Sequence, residues 1–189
     1  MADVRAIHVV GDALVTRLGQ TFAGSAWPGN DKPECKFQLV GSAELVDKPT
    51  FVKGVVFFLY RVQQSQHAGQ SPGSRGSHDI RPPLVLDLHF LMFPWGGNSK
   101  EESYLLAWTM RELANRPVLG PGDLVGGGFA DDEAVHVTLG ELSNEDLMRI
   151  WDAIDPPYRI SVPYIARVVQ LGLDAPPTGA PVLPPDSAA

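Results

Sequence analysis

The chain has 189 residues, and 15 Lys and Arg against 22 Asp and Glu leave a net charge of −7. That balance argues against nucleic acid or an anionic membrane as the main partner, because both need clustered positive charge. Hydrophobic residues at 44% with 20% charged exclude a chain disordered throughout. The single Cys35 excludes an internal disulfide and a multi-cysteine zinc site. There is no apolar run of the roughly 18 residues that a membrane-spanning helix needs. Met1–Arg5 lacks the basic-then-apolar layout of a secretory signal. These features predict a protein of a reducing cytoplasm.

Val4, Ile7, Gly11, Leu14 and Leu18 recur at helical spacing, with Val10 widening the stripe, and predict a first helix ending near Gly19. Gly24–Pro33 reads as a loop and Lys36–Leu45 as a strand. Phe51–Val62 is a clearer strand, rich in β-branched and aromatic residues. Its middle, Val55–Tyr60, is apolar on both faces, so both should be covered, one by helices and the other by a partner or more protein. Residues 63–82 are Gln, Ser and Gly without periodicity, a long flexible loop of the kind that is functional or disordered.

Leu84–Phe93 is the next strand, with Leu84, Leu86, Leu88 and Phe90 on one face and Asp87 and His89 on the other. Ser99 with Glu102 makes a capping box for a helix to about Asn115, where Pro117 stops it. A Gly-rich loop, Gly120–Asp132, leads to a short strand over Ala134–Leu139. Ser143 with Asp146 caps a helix carrying Leu147, Ile150, Trp151 and Ile154. Tyr158–Leu171 is the last strand, and Pro163 within it predicts an edge position or a bulge. Residues 174–189 read as a Pro-rich disordered tail after a single domain over 1–173. The order of elements predicts an α+β domain, a mostly antiparallel sheet with helices packed on one face.

No catalytic constellation emerges. Gly69-Gln70-Ser71-Pro72-Gly73 matches the nucleophile-elbow pattern of a small serine hydrolase, but no apolar strand precedes Ser71 and Pro72 follows it. Asp87 and His89 share a strand face, yet two ligands are too few for a metal, and His136 is the one other strand histidine. Gly126–Gly128 lacks the Lys and Ser or Thr of a phosphate loop. The acids Glu101 and Glu102 fit a helix first turn. Trp95, Trp108 and Trp151 read as core, with no basic patch to make them a stacking platform. Cys35 has no adjacent histidine to serve as its base. The reading is no enzyme, no cofactor and no metal. A two-faced apolar strand, a long loop and an edge signal at Pro163 instead describe an assembly part.

Four segments in order carry a family resemblance: Phe58–Val62 (FLYRV), Arg81–Leu91 (RPPLVLDLHFL), Leu106–Leu113 (LAWTMREL), and Tyr158–Tyr164 (YRISVPY) with Ala166–Val169. This set resembles the tail-terminator (cap) proteins of extracellular contractile injection systems, the phage-tail-like particles of the antifeeding-prophage type. The resemblance implies a tail-terminator-like fold and a hexameric ring. Such a ring would sit on the last layers of inner tube and sheath, end their growth and hold them together. Its partners would be itself, the sheath protein and the inner-tube protein, within a cytoplasmically assembled particle. A tail-completion or connector protein of the same particle is the alternative, and a hydrolase using Ser71 a further one. The docking-surface candidates are Arg61, Arg81, Arg159 and Arg167, at strand ends or opposite apolar residues, and the edge-type Pro163. Because the chain as a whole is acidic, its docking face should meet basic or apolar residues of tube or sheath.

Overall fold

The structure is a computed structural model that describes residues 2–27, 31–46, 53–65, 84–130, 132–154 and 157–171. Apart from Gln63–Ser65, the expected flexible loop 63–82 lies outside the described residues, as does the expected tail 174–189.

Helix α1 spans Ala6–Gly24. It starts after Val4, which is 92% exposed, and runs past Gly19 because Phe22 continues the buried stripe of Val10, Leu14 and Leu18. Strand β1 is Lys36–Val40, and the chain then turns into a short helix α2, Ser42–Val46, where the sequence predicts more strand. The Gly41 N–H donates to the Glu44 carboxylate at 2.7 Å, closing a turn that ends the strand, and Leu45 is buried beneath it. Strands β2 (Gly54–Gln64) and β3 (Leu84–Trp95) follow, then helix α3 (Ser99–Asn115). The capping box of α3 sits one residue earlier than predicted. Asn98 Oδ1 accepts from the Glu101 N–H at 3.0 Å and Glu101 Oε2 accepts from the Asn98 N–H at 3.3 Å. Then come β4 (Val118–Leu119), β5 (Val135–Leu139), α4 (Asn144–Ile154) and β6 (Val162–Leu171). Ser143 caps α4 as predicted, accepting from the Asp146 N–H at 3.0 Å.

The strands form one sheet in the order β1-β2-β3-β6-β5-β4, with only β1 and β2 parallel. This is the α+β, mostly antiparallel arrangement the sequence predicts, but helices pack on both faces rather than on one, because Trp151, Ile154 and Leu45 give α4 and α2 apolar sides of their own. Gly54 sits where β2 meets β1, and an added Cβ there would overlap the Lys36 carbonyl oxygen, so the pairing requires glycine.

The two long helices, α1 and α3, share one face. Their Leu14, Leu18, Leu105 and Trp108 close over Val55, Phe57, Leu88, Phe90 and Met92. The two shorter helices cover part of the other face, where Leu45, Trp151 and Ile154 pack on Val56, Phe58, Leu91 and Phe93. The two-faced stretch of β2 is therefore covered by the chain's own helices over Val55–Phe58, with no neighbouring copy needed there.

The edge reading of Pro163 is corrected. Strand β6 is interior, between β3 and β5. Pro163 stands opposite Leu91, and its carbonyl accepts from the Gly140 N–H at 2.9 Å, just past the end of β5. In an antiparallel strand a residue turns its N–H and C=O to the same side. The missing N–H of Pro163 thus points past the end of β5, where the ladder has stopped. The bulge in β6 lies further along, where the register against β3 shifts between Leu86 and Asp87.

Candidate assembly surfaces

Where α2 and α4 stop, the second face of the sheet changes character. Period-2 alternation and the strand register place two rows of side chains across it. One row is Arg61, His89, Ile165 and Thr138 on β2, β3, β6 and β5. The next is Gln63, Asp87, Arg167 and His136 on the same strands. Sequence reasoning put Asp87 and His89 on one face. It did not bring Arg61, Arg167 and His136 to them, because register is a tertiary fact.

The rows are unevenly satisfied. Asp87 is 8% exposed, and its Oδ1 has no hydrogen-bond partner. Arg167 stands opposite, and its buried Nε also lacks one. Burial is the main cause that lowers the His89 pKa; Arg61 and Arg167 add to it and Asp87 opposes it. The Tyr60 ring meets His89 edge-on at 6.0 Å. Two guanidiniums among the imidazoles and one carboxylate repel a metal cation, and no metal-holding cluster of His, Cys, Asp or Glu exists among the described residues.

The remaining candidates divide. Arg61 is exposed on this surface. Arg159 is held within the chain: its guanidinium lies 4.0 Å from the Trp95 ring centre and donates to Glu102 Oε1 at 3.1 Å. Its Nε is buried without a partner. Pro163 is half-buried in the interior strand. Arg81 and Ser71 lie outside the described residues. Gly126, Gly127 and Gly128 have positive φ, and this loop is fastened to the N-terminal turn. The Gly128 carbonyl accepts from the Asp3 N–H at 2.9 Å and the Gly126 carbonyl from Arg5 Nη1 at 3.5 Å. Glu101 pairs with Lys53 at 2.7 Å, a structural use of that acid. Cys35 is half-buried, and burial pushes its thiol up to about 12. Among the described residues no helix is long and apolar enough to cross a membrane.

Two features escape the sequence reading. Arg17 is buried and clamps the segment after α3 to α1. The one hint is its place beside Leu14 and Leu18 on the apolar stripe. The other is a cleft of about 750 Å³ where β1 ends, between the start of α1 and α2. No one-dimensional pattern marks it.

The fold is similar to a solved chain described as the "PVC sheath/tube terminator in extended state" of an extracellular contractile injection system. The TM-score is 0.53 and the identity 15%, over 98% of this chain and 65% of that one. The "anti-feeding prophage cap (AFP tube terminating cap)" matches with a TM-score of 0.45 and 13% identity, over 73% of this chain and 52% of that one. At such identity the likeness is one of fold, and this chain spans 65% of the length of the terminator it resembles. No curated protein matches the sequence. A family model described as the Pvc16 N-terminal domain matches residues 9–183, which takes in every strand and helix from the first turns of α1 to the end of β6, and the chain belongs to that family.

Proposed function

We propose that this chain is the structural terminator of a contractile injection particle. A ring of copies, hexameric by the sequence resemblance, sits on the final layers of inner tube and sheath, stops their growth and joins them. The observation that carries the reading is the family match over residues 9–183 together with a terminator fold spanning 98% of the chain. The role is structural rather than catalytic, and the partners are further copies, sheath protein and tube protein. The protein is made in the cytoplasm and travels with the particle.

The polar rows supply the docking groups that best fit this role. Arg61 and Arg167 face outward from the sheet, and the unsatisfied Asp87 oxygen and Arg167 Nε are groups that an incoming polypeptide can satisfy after small side-chain movements. Arg81 and Pro163 are further candidates. Arg159, already engaged with Glu102 and Trp95, is the one whose substitution should act first through stability.

Deleting the gene from a particle-producing strain tests the reading. Tubes and sheaths of uncontrolled or unstable length are expected, with restoration by the intact gene. Particles of normal length and stability without this protein would end the proposal.

A further inference from the structure

We propose that the outer edge of β2, beyond the end of β1, receives an extended strand from a partner polypeptide. That strand seats an apolar side chain in the cleft and a carboxylate opposite Arg61.

The register defines the vacancy. Strand β1 pairs with β2 only from Gly54 to Phe58, while β2 continues to Gln64. Leu59–Gln64 therefore has β3 on one side and, among the described residues, no strand on the other. Alternate residues of a strand turn their N–H and C=O groups to each side, so roughly three of these residues offer backbone groups to a missing neighbour. An open edge of this kind is a template for an added strand.

The surroundings give the vacancy walls. The cleft of about 750 Å³ opens where β1 stops. Leu39 and Leu59 give it an apolar floor on the α1 side, beside Ile7 of α1, and Glu44 of α2 stands at its other wall. An extended chain entering in line with β1 would lay one apolar side chain on this floor.

Charge then selects the guest. A register shift between Leu59 and Arg61 marks a bulge at Tyr60. Leu59 packs with the α1 and α3 side, while Tyr60 packs with the α2 and α4 side and Arg61 stands opposite His89 on that same side. Arg61 is exposed and has no ion pair among the described residues. A guest with a carboxylate on that face makes a favourable cross-strand pair, and one with a lysine there is repelled. The bulge and the arginine also discourage indiscriminate edge pairing.

The test uses the full chain and a short peptide of alternating valine and threonine carrying one glutamate, followed by backbone amide exchange and NMR. Expected are slowed exchange confined to the β2 edge at Leu59–Gln64 and loss of binding when alternate peptide amides are N-methylated. A peptide with lysine for glutamate should bind roughly fivefold more weakly, and Arg61→Glu should reverse that preference. Absence of binding at millimolar peptide, binding without protection of Leu59–Gln64, or indifference to N-methylation or to Arg61→Glu would each overturn the proposal. These outcomes leave the terminator reading to its own deletion test.

Discussion

Arg17 Nη1 donates to the Val118 carbonyl at 2.6 Å, across a separation of 101 residues. Nη2 of the same side chain donates to the Arg116 carbonyl at 2.9 Å, and Asp123 lies 3.6 Å from Nη1. One guanidinium thus ties the middle of α1 to the chain leaving α3 and to the start of β4. Burial pulls the Arg17 pKa down and Asp123 supports it, and the group stays cationic. Truncating it to alanine leaves the Val118 and Arg116 carbonyls without their donor.

Arg17→Ala should therefore destabilise the fold by about 3 kcal/mol in urea unfolding, the range for lost charge-assisted bonds in a buried site. Arg17→Lys should recover less than half, because an ammonium lacks the planar fork that reaches both carbonyls. An unchanged midpoint for Arg17→Ala would show that the clamp carries no stability.

Trp151 is 2% exposed, meets Phe93 edge-on at 5.1 Å, and donates through Nε1 to Ser161 Oγ at 3.2 Å. It anchors α4 to the second sheet face. Trp151→Ala should cost roughly 3–5 kcal/mol through the cavity it leaves. Trp151→Phe keeps a ring and should cost about 1–2 kcal/mol, from the lost hydrogen bond and lost volume. Thermal denaturation of both variants checks this, and a Trp151→Ala protein as stable as the parent would mean that α4 contributes little.

What the sequence displays well is what short-range chemistry decides. Helices α3 and α4 announce themselves by caps and spacing, and β3 by the alternation of Leu86, Leu88 and Phe90 against Asp87 and His89. The cap of α3 slips by one residue because Asn98 and Ser99 are both good caps, and only the reach of Glu101 separates them. Helix α2 is lost because its five residues are too few to show a helical period after the strand-like Phe37–Val40, and Gly41 with Glu44 makes the difference through one hydrogen bond. Pro163 misleads because its meaning depends on where the next strand ends. The polar rows and the vacancy on β2 depend wholly on register and strand order, which no local pattern encodes.

His89 offers a titration that reads out the row geometry. Burial, Arg61 and Arg167 all lower its pKa, and only Asp87 raises it. Its NMR titration should fall below the ordinary histidine value of about 6.5. Arg61→Ala should move it up, and Asp87→Asn should move it further down. A depressed folded-state pKa means that the unfolded chain takes up the proton first. The stability it contributes is present above about pH 6.5 and is lost as pH falls through the folded value. A His89 pKa that ignores both substitutions would show that the register does not bring these charges together.

Alkali probes the opposite sign. The Cys35 thiol and the Tyr164 hydroxyl are each pushed up to about 12, in both cases chiefly by burial. Both groups are neutral when protonated, so burial favours the proton in the folded chain. The unfolded chain releases these protons first, near pH 8.5 for the thiol and near pH 10 for the hydroxyl (ordinary values, each good to about one unit). Their stabilising contribution is therefore complete below those values and declines as pH rises toward about 12. At pH 8 the thiolate fraction of Cys35 should lie on the order of a thousandfold below that of an exposed cysteine. Iodoacetamide should label Cys35 slowly in the folded protein and at the free-thiol rate in urea. Cys35→Ser should flatten the fall in stability between pH 9 and 11, leaving the part due to Tyr164, and Tyr164→Phe should remove most of the remainder. Labelling of the folded protein at the free-thiol rate would place Cys35 outside the α1–β1 packing, and an alkaline slope unchanged by both substitutions would assign it to other groups.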